Sequence, residues 1–164
     1  MKTSKSLCIV LLAVLTATSA FASNVSSVDL GVMLGASRNF ALSPSHGYLV
    51  DGPSLALESS FNMEPCSVVL SESITTNPDI TVFDTTLTLR KTTPLNDSFS
   101  FLMESGVAAR LVSDSSADAA ILCRSGIKCS VSRNMDLSIF AGVRLLSSGA
   151  IGVDASVGGS YRFG

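Results

Sequence analysis

Ser156 to Gly164 reads SVGGSYRFG. Val157, Tyr161 and Phe163 occupy alternate positions of this stretch, and Ser156, Gly158 and Arg162 occupy the positions between them. A period of two with unlike faces describes a strand that meets two different environments. The pattern runs upstream unbroken, with Ile151, Val153 and Ala155 against Gly152 and Asp154. Which environment lies on which side decides the fold.

The same alternation covers most of the chain. Val28, Leu30, Val32, Leu34 and Ala36 alternate with Asp29, Gly31, Met33 and Gly35. After Pro53, Leu55, Leu57, Phe61 and Met63 oppose Ala56, Glu58, Ser60 and Asn62. A weaker strand is predicted over Cys66–Ser73, and another over Ile80–Arg90, where Phe83, Leu87 and Leu89 oppose Asp84, Thr86, Thr88 and Arg90. Phe99, Phe101, Met103, Val107, Ala109 and Leu111 oppose Ser100, Glu104, Gly106 and Arg110. One long strand is predicted over Ala119–Val131, with Ile121, Cys123, Ile127, Cys129 and Val131 on one side and Asp118, Arg124, Gly126 and Lys128 on the other. After a short turn at Arg133-Asn134, Met135, Leu137, Ile139, Ala141, Val143 and Leu145 oppose Asp136, Ser138, Gly142 and Arg144. The last strand brings the total to about eight, and helical spacing fits none of them better.

The first residues follow a different rule. Lys2 and Lys5 form a basic head, Leu7 to Ala17 an apolar run and Ala20-Phe21-Ala22 a small-x-small site. Residues 1–22 therefore read as a cleaved secretory signal peptide, the apolar run being too short for a spanning helix. Residues 23–164 form one domain. Without Lys2 and Lys5 that domain is acidic, which argues against a nucleic-acid partner.

Many short alternating strands in an exported chain suit a soluble barrel or sandwich, or a membrane barrel. The charges bear on the choice. Those assigned to strands, Asp29, Glu58, Asp84, Arg90, Glu104, Arg110, Asp118, Arg124, Lys128, Asp136, Arg144, Asp154 and Arg162, all fall on the non-aliphatic face. Arg38, Asp51, Glu64, Glu72, Asp79, Lys91, Asp97, Asp114 and Arg133 are assigned to turns and loops. Seven acids and six bases nearly cancel on the strands, as a closed interior requires, because a buried charge is tolerable only when paired. Glycines 31, 35, 106, 126, 142, 152 and 158 share that face, leaving room in a narrow barrel for arginines. With both termini on the periplasmic side, Phe61, Phe99, Phe101, Tyr161 and Phe163 gather at one rim, and Phe40, Tyr48 and Phe83 near the other, as aromatic girdles do.

The terminal stretch resembles the last-strand signature of bacterial outer-membrane β-barrels, polar-x-Gly-x-x-aromatic-x-aromatic, with Ser156, Gly158, Tyr161 and Phe163 in the four places. The run from GIKCSVSRNMDLSIFAGVRLL to the end looks like the late hairpin of small eight-stranded barrels of the opacity-protein and porin-like type. The resemblance covers roughly the last third of the chain. It implies an all-β, antiparallel, up-and-down eight-stranded transmembrane barrel in the outer membrane of a Gram-negative cell, surrounded by lipid. It also implies that the assembly machinery recognises the last strand.

Three other groups of residues are candidates for chemistry. His46 lies in the longest connection, on the predicted outer rim with Asp114, Ser115 and Ser116, and a lipid-modifying barrel enzyme could use a Ser–His pair. No catalytic motif surrounds it, and an ordinary loop histidine is the plainer reading. One His and the three scattered cysteines of residues 23–164 give no metal-ligand spacing, and no cofactor is expected. Cys66, Cys123 and Cys129 read as lipid-facing apolar residues, against the rival of a CRSGIKC loop closed by a disulfide. The inward charges could serve as an ion relay, or as a salt-bridge plug in a lumen with room only for its own side chains. The sequence thus predicts a non-enzymatic, monomeric structural or surface barrel with a plugged lumen. A lipid-modifying enzyme and a soluble periplasmic ligand-binding barrel remain the alternatives.

Overall fold

The computed structural model describes residues 25–41, 51–78, 80–113 and 117–163. The expected signal peptide, His46, Tyr48 and Asp114 to Ser116 lie outside the described residues. Eight strands follow in order: β1 (Ser27–Ala41), β2 (Gly52–Met63), β3 (Cys66–Thr76), β4 (Thr81–Pro94), β5 (Phe99–Val112), β6 (Ala117–Ser130), β7 (Met135–Leu146) and β8 (Ala150–Phe163). Each pairs antiparallel with the next, and β8 pairs with β1 from Val28↔Phe163 to Ala41↔Ala150, so the sheet closes. The period-two pattern is what permits closure, since every strand then presents one chemistry inward and another outward.

The register fixes the shape. Walking from partner to partner, from Val28 through Phe61, Val68, Leu89, Ser105, Cys123, Val143 and Val153, returns to β1 at Arg38, ten residues beyond the start. That stagger over eight strands tilts each by about 40° from the barrel axis. At one end the connections are tight: Glu64-Pro65, residues 95–98 and residues 131–134. The Asn96 side chain accepts hydrogen bonds from the backbone N–H groups of Ser98 and Phe99, both at 2.9 Å, and so shapes the β4–β5 turn. At the other end lie residues 42–51, the longest connection, with 77–80, 113–116 and 147–149. Gly149 closes the last of these with φ at 81°, a conformation glycine adopts without penalty.

The outward face is apolar. Leu34, Leu57, Ile121, Ile139, Val143 and Val157 are each more than half exposed, and their equivalents encircle the barrel. The inward face holds Asp84, Glu104 and Arg110 at 2–3% exposure. This is the inverse of a water-soluble barrel, whose apolar face fills the centre.

Three assignments made from the sequence change. Arg38, Glu72 and Lys91 lie within β1, β3 and β4 and on the outward face, not in loops. Arg38 and Lys91 stand near opposite ends of their strands, whereas Glu72 has Leu70 and Ile74 on either side along its own face. β3 and β4 are also longer than expected, running to Thr76 and Pro94. Glu72 falls near the end of the strand expected over Cys66–Ser73 and its charge reads locally as the start of a loop, but pairing with both neighbouring strands carries β3 on to Thr76. The long strand expected through CRSGIKC is present and its cysteines are free, which removes the rival disulfide loop.

Candidate functional site

The site built by the inward face is a column of ion pairs along the lumen. Its centre holds Glu58 from β2, Arg90 from β4, Glu104 from β5 and Arg124 from β6. Arg124 Nη2 donates to Glu58 at 2.9 Å, and Arg124 Nε and Arg90 Nε both donate to Glu104. Arg90 Nη2 donates to the other oxygen of Glu58. Each arginine therefore bridges both carboxylates, and the four charges sum to zero. The Phe140 ring, 1% exposed, packs beneath both guanidinium groups, at 5.2 Å from Arg90 and 4.7 Å from Arg124.

Toward the end that carries residues 42–51, Arg110 grips Asp84 through two bonds of 2.9 and 3.1 Å. Arg144 joins the same carboxylate at 2.7 Å and reaches Asp154 at 3.6 Å. Toward the opposite end, Arg162 bonds Asp29 at 3.2 Å and Asp136 at 3.1 Å, and Lys128 lies 3.3 Å from Asp136. Each of these layers also pairs two acids with two bases. Bidentate guanidinium–carboxylate geometry is the arrangement that best offsets desolvation in a place where water is scarce.

Of the thirteen charges anticipated on this face, twelve enter the three layers. Asp118 does not. It lies at the start of β6, where its carboxylate accepts from the Ser148 hydroxyl at 2.6 Å, the Ser148 N–H at 3.2 Å, the Ala119 N–H at 2.9 Å and the Ser147 hydroxyl. Its role is to fasten the β7–β8 turn to β6.

The lumen is less polar than the alternation suggested. Phe140, Leu102, Met33, Val69 and Val82 all point inward and are buried. Met33, Leu102 and Phe140 form one cluster beside the central layer, and Ala108, Ala120, Leu122, Leu146 and Ala150 another. Their signal was present as parity: Phe140 sits between Ile139 and Ala141, both outward. Glycine makes the space for the long side chains. A Cβ at Gly142 would lie 2.6 Å from Arg124 Cβ, and one at Gly126 would lie 2.6 Å from Phe140 Cδ1. Internal cavities of about 50 Å³, lined by Ser54, Ser71, Thr86 and Arg144, and about 20 Å³, lined by Asp29, Asn62 and Arg90, flank the central layer.

The last strand carries the resemblance noted from the sequence. Tyr161 and Phe163 both face outward, with ring centroids 4.8 Å apart in edge-to-face contact, and Asn134 Nδ2 donates to the Tyr161 hydroxyl at 3.3 Å. Gly158 faces the lumen, where an added Cβ would meet the Val32 carbonyl at 2.1 Å and Met33 Sδ at 2.4 Å.

No protein-family model matches the sequence, and no curated protein matches it. Solved structures do. Neisserial surface protein A superposes with a TM-score of 0.72 at 8% identity, covering 83% of this chain and 97% of that one. The N-terminal β-barrel domain of Pseudomonas aeruginosa OprF gives 0.63 at 12% identity, covering 82% and 97%. Ail, the attachment invasion locus protein of Yersinia pestis, gives 0.58 at 14% identity, covering 84% and 98%. With an apolar girdle outside, paired charges inside and these structural likenesses, the chain has the closed eight-stranded antiparallel fold of the small outer-membrane barrels.

Proposed function

We propose that the chain is a non-enzymatic outer-membrane barrel, exported with residues 1–22 removed, whose lumen is closed by its own paired charges. The observation that carries this reading is the opposition of the two faces: exposed Leu, Ile and Val all round the outside and three neutral ion-pair layers within. Such an exterior is stable only against hydrocarbon. Inside, every arginine and the lysine of the column hold a carboxylate of this chain, and of the two cavities beside the central layer the smaller has room for about one water and the larger for about three. That favours a structural role for the charges over an ion relay.

The connection over residues 42–51 is the segment best suited to contact something outside the cell, because the other connections at that end are only three or four residues long. Two of the solved barrels are named for the cell surface or for attachment, and a surface role for this segment is part of the proposal. We also assign Ser156, Gly158, Tyr161 and Phe163 to recognition by the barrel assembly machinery.

Fractionation tests the location: the protein should sediment with outer membranes and migrate faster unheated than boiled, whereas release by osmotic shock would refute it. Planar bilayers test the lumen. Purified protein should give no large, steady openings, and their appearance would contradict closure by paired charges.

A further inference from the structure

Glu72 has no explanation in a lone barrel surrounded by lipid. It occupies the fourth of the six outward positions on β3, between Leu70 and Ile74, with Leu57 across the β2 pairing and Thr85 across the β4 pairing. Leu57, Ile74, Phe83 and Leu87 around it are all exposed. Among the described residues nothing ion-pairs or hydrogen-bonds with its carboxylate. Hydrocarbon supplies no partner for such a group, and an ionisable side chain at that depth marks a contact.

We propose that the outward face of β2, β3 and β4 is the contact between two copies of this chain, related by a two-fold axis parallel to the barrel axis. The proposal rests on the outer-membrane reading and departs from the monomer expected from sequence. Copies in one membrane share an orientation, so a closed pair has its axis along the membrane normal and preserves depth. Glu72 and Thr85 are register partners. An axis passing between them sets each Glu72 opposite the other copy's Thr85, with a depth difference of about 3 Å from the strand tilt. The carboxylate then accepts from the Thr85 hydroxyl, twice over by symmetry, and Leu57, Leu70 and Leu87 exclude lipid around the pair. Arg38 and Lys91, the other outward charges among the described residues, stand toward the two ends and offer no alternative partner at this level.

The test is energy transfer between labelled copies of the full mature chain in phospholipid vesicles. Transfer should rise with the protein-to-lipid ratio. Glu72→Leu and Thr85→Val should each weaken association about tenfold, the scale of two modest hydrogen bonds in a membrane, while Glu72→Gln stays within about threefold. In outer membranes, with Cys66, Cys123 and Cys129 replaced by serine, a short bis-maleimide should join Leu87→Cys to itself and leave Ile139→Cys on β7 single. Transfer no greater than that of a non-associating barrel at every ratio, equal cross-linking at both positions, or cross-links from Leu87→Cys to other proteins would each overturn the proposal. Heat-modifiable migration of every variant keeps a failed barrel distinct from a failed dimer.

Discussion

Replacing Glu104 with alanine should cost about 3 kcal/mol of stability. The Glu104 side chain is fully buried, and the two arginines that it holds are only 12% and 13% exposed. Its removal leaves Arg90 and Arg124 sharing Glu58 alone, with a net positive charge in the central layer. Breaking a buried pair by removing one partner costs about 3–5 kcal/mol, and the retained Glu58 places this case at the lower end. Glu104→Gln keeps the shape and one acceptor and should cost about 2 kcal/mol. Adding Arg90→Met to Glu104→Gln restores neutrality, so the double variant should be at least about 1 kcal/mol more stable than the sum of its singles. The chain has no tryptophan, so urea unfolding in vesicles is best followed by the loss of heat-modifiable migration or by circular dichroism. At about 2 kcal/mol per molar urea, the alanine variant's midpoint should fall by about 1.5 M. Arg38→Ala is the control, because Arg38 and Asp51 are 71% and 51% exposed and 3.8 Å apart, a pair worth at most about 1 kcal/mol. A Glu104→Ala midpoint no lower than that of Arg38→Ala would refute the buried-pair reasoning.

Three further outcomes are expected. Ile139→Arg places a charge on the exposed outward face of β7 and should destabilise the barrel in vesicles by about 2–4 kcal/mol; a neutral or solubilising effect would mean that this face meets water. Gly126→Ala sets a Cβ 2.3 Å from the Ile139 carbonyl and 2.6 Å from Phe140, which should cost about 1–3 kcal/mol in urea titration. Tyr161→Ala with Phe163→Ala should lower the amount of folded barrel in cells while leaving refolding of the purified chain into vesicles within about twofold; equal losses in both assays would assign these rings to stability instead.

Much of this architecture was legible because a barrel has one rule for all its strands. The stretches around Ile139 and Val157 show the alternation cleanly, and β7 and β8 were placed within a few residues of their ends. The inward charges followed from the same parity, and twelve of them meet as pairs. What one strand cannot reveal is which row of its neighbour it will face: the sharing of Glu58 and Glu104 between Arg90 and Arg124 depends on the register of five strands. Glu72 went astray for a related reason. Its charge, flanked by two serines at the end of a weak strand, reads locally as the start of a loop, and pairing to Leu57 and Thr85 holds it within the strand. Parity with Val68 and Leu70 held the missing signal. Polarity alone does not mark Phe140 and Leu102 as inward, because the space beside small glycines admits large apolar groups too.

The ten-residue offset met on circling the barrel has a bearing on how the molecule is made. A slip of two residues in any hairpin would preserve which side chains face lipid, yet it would alter the circumference and pull the guanidiniums away from their carboxylates. Between the central strands the broken Glu58 and Glu104 pairs would register the error locally, and at the seam the first strand would no longer meet the last in register. An immature chain with seven strands threaded still carries two raw edges, because the pairing of β8 with β1 is what closes the sheet.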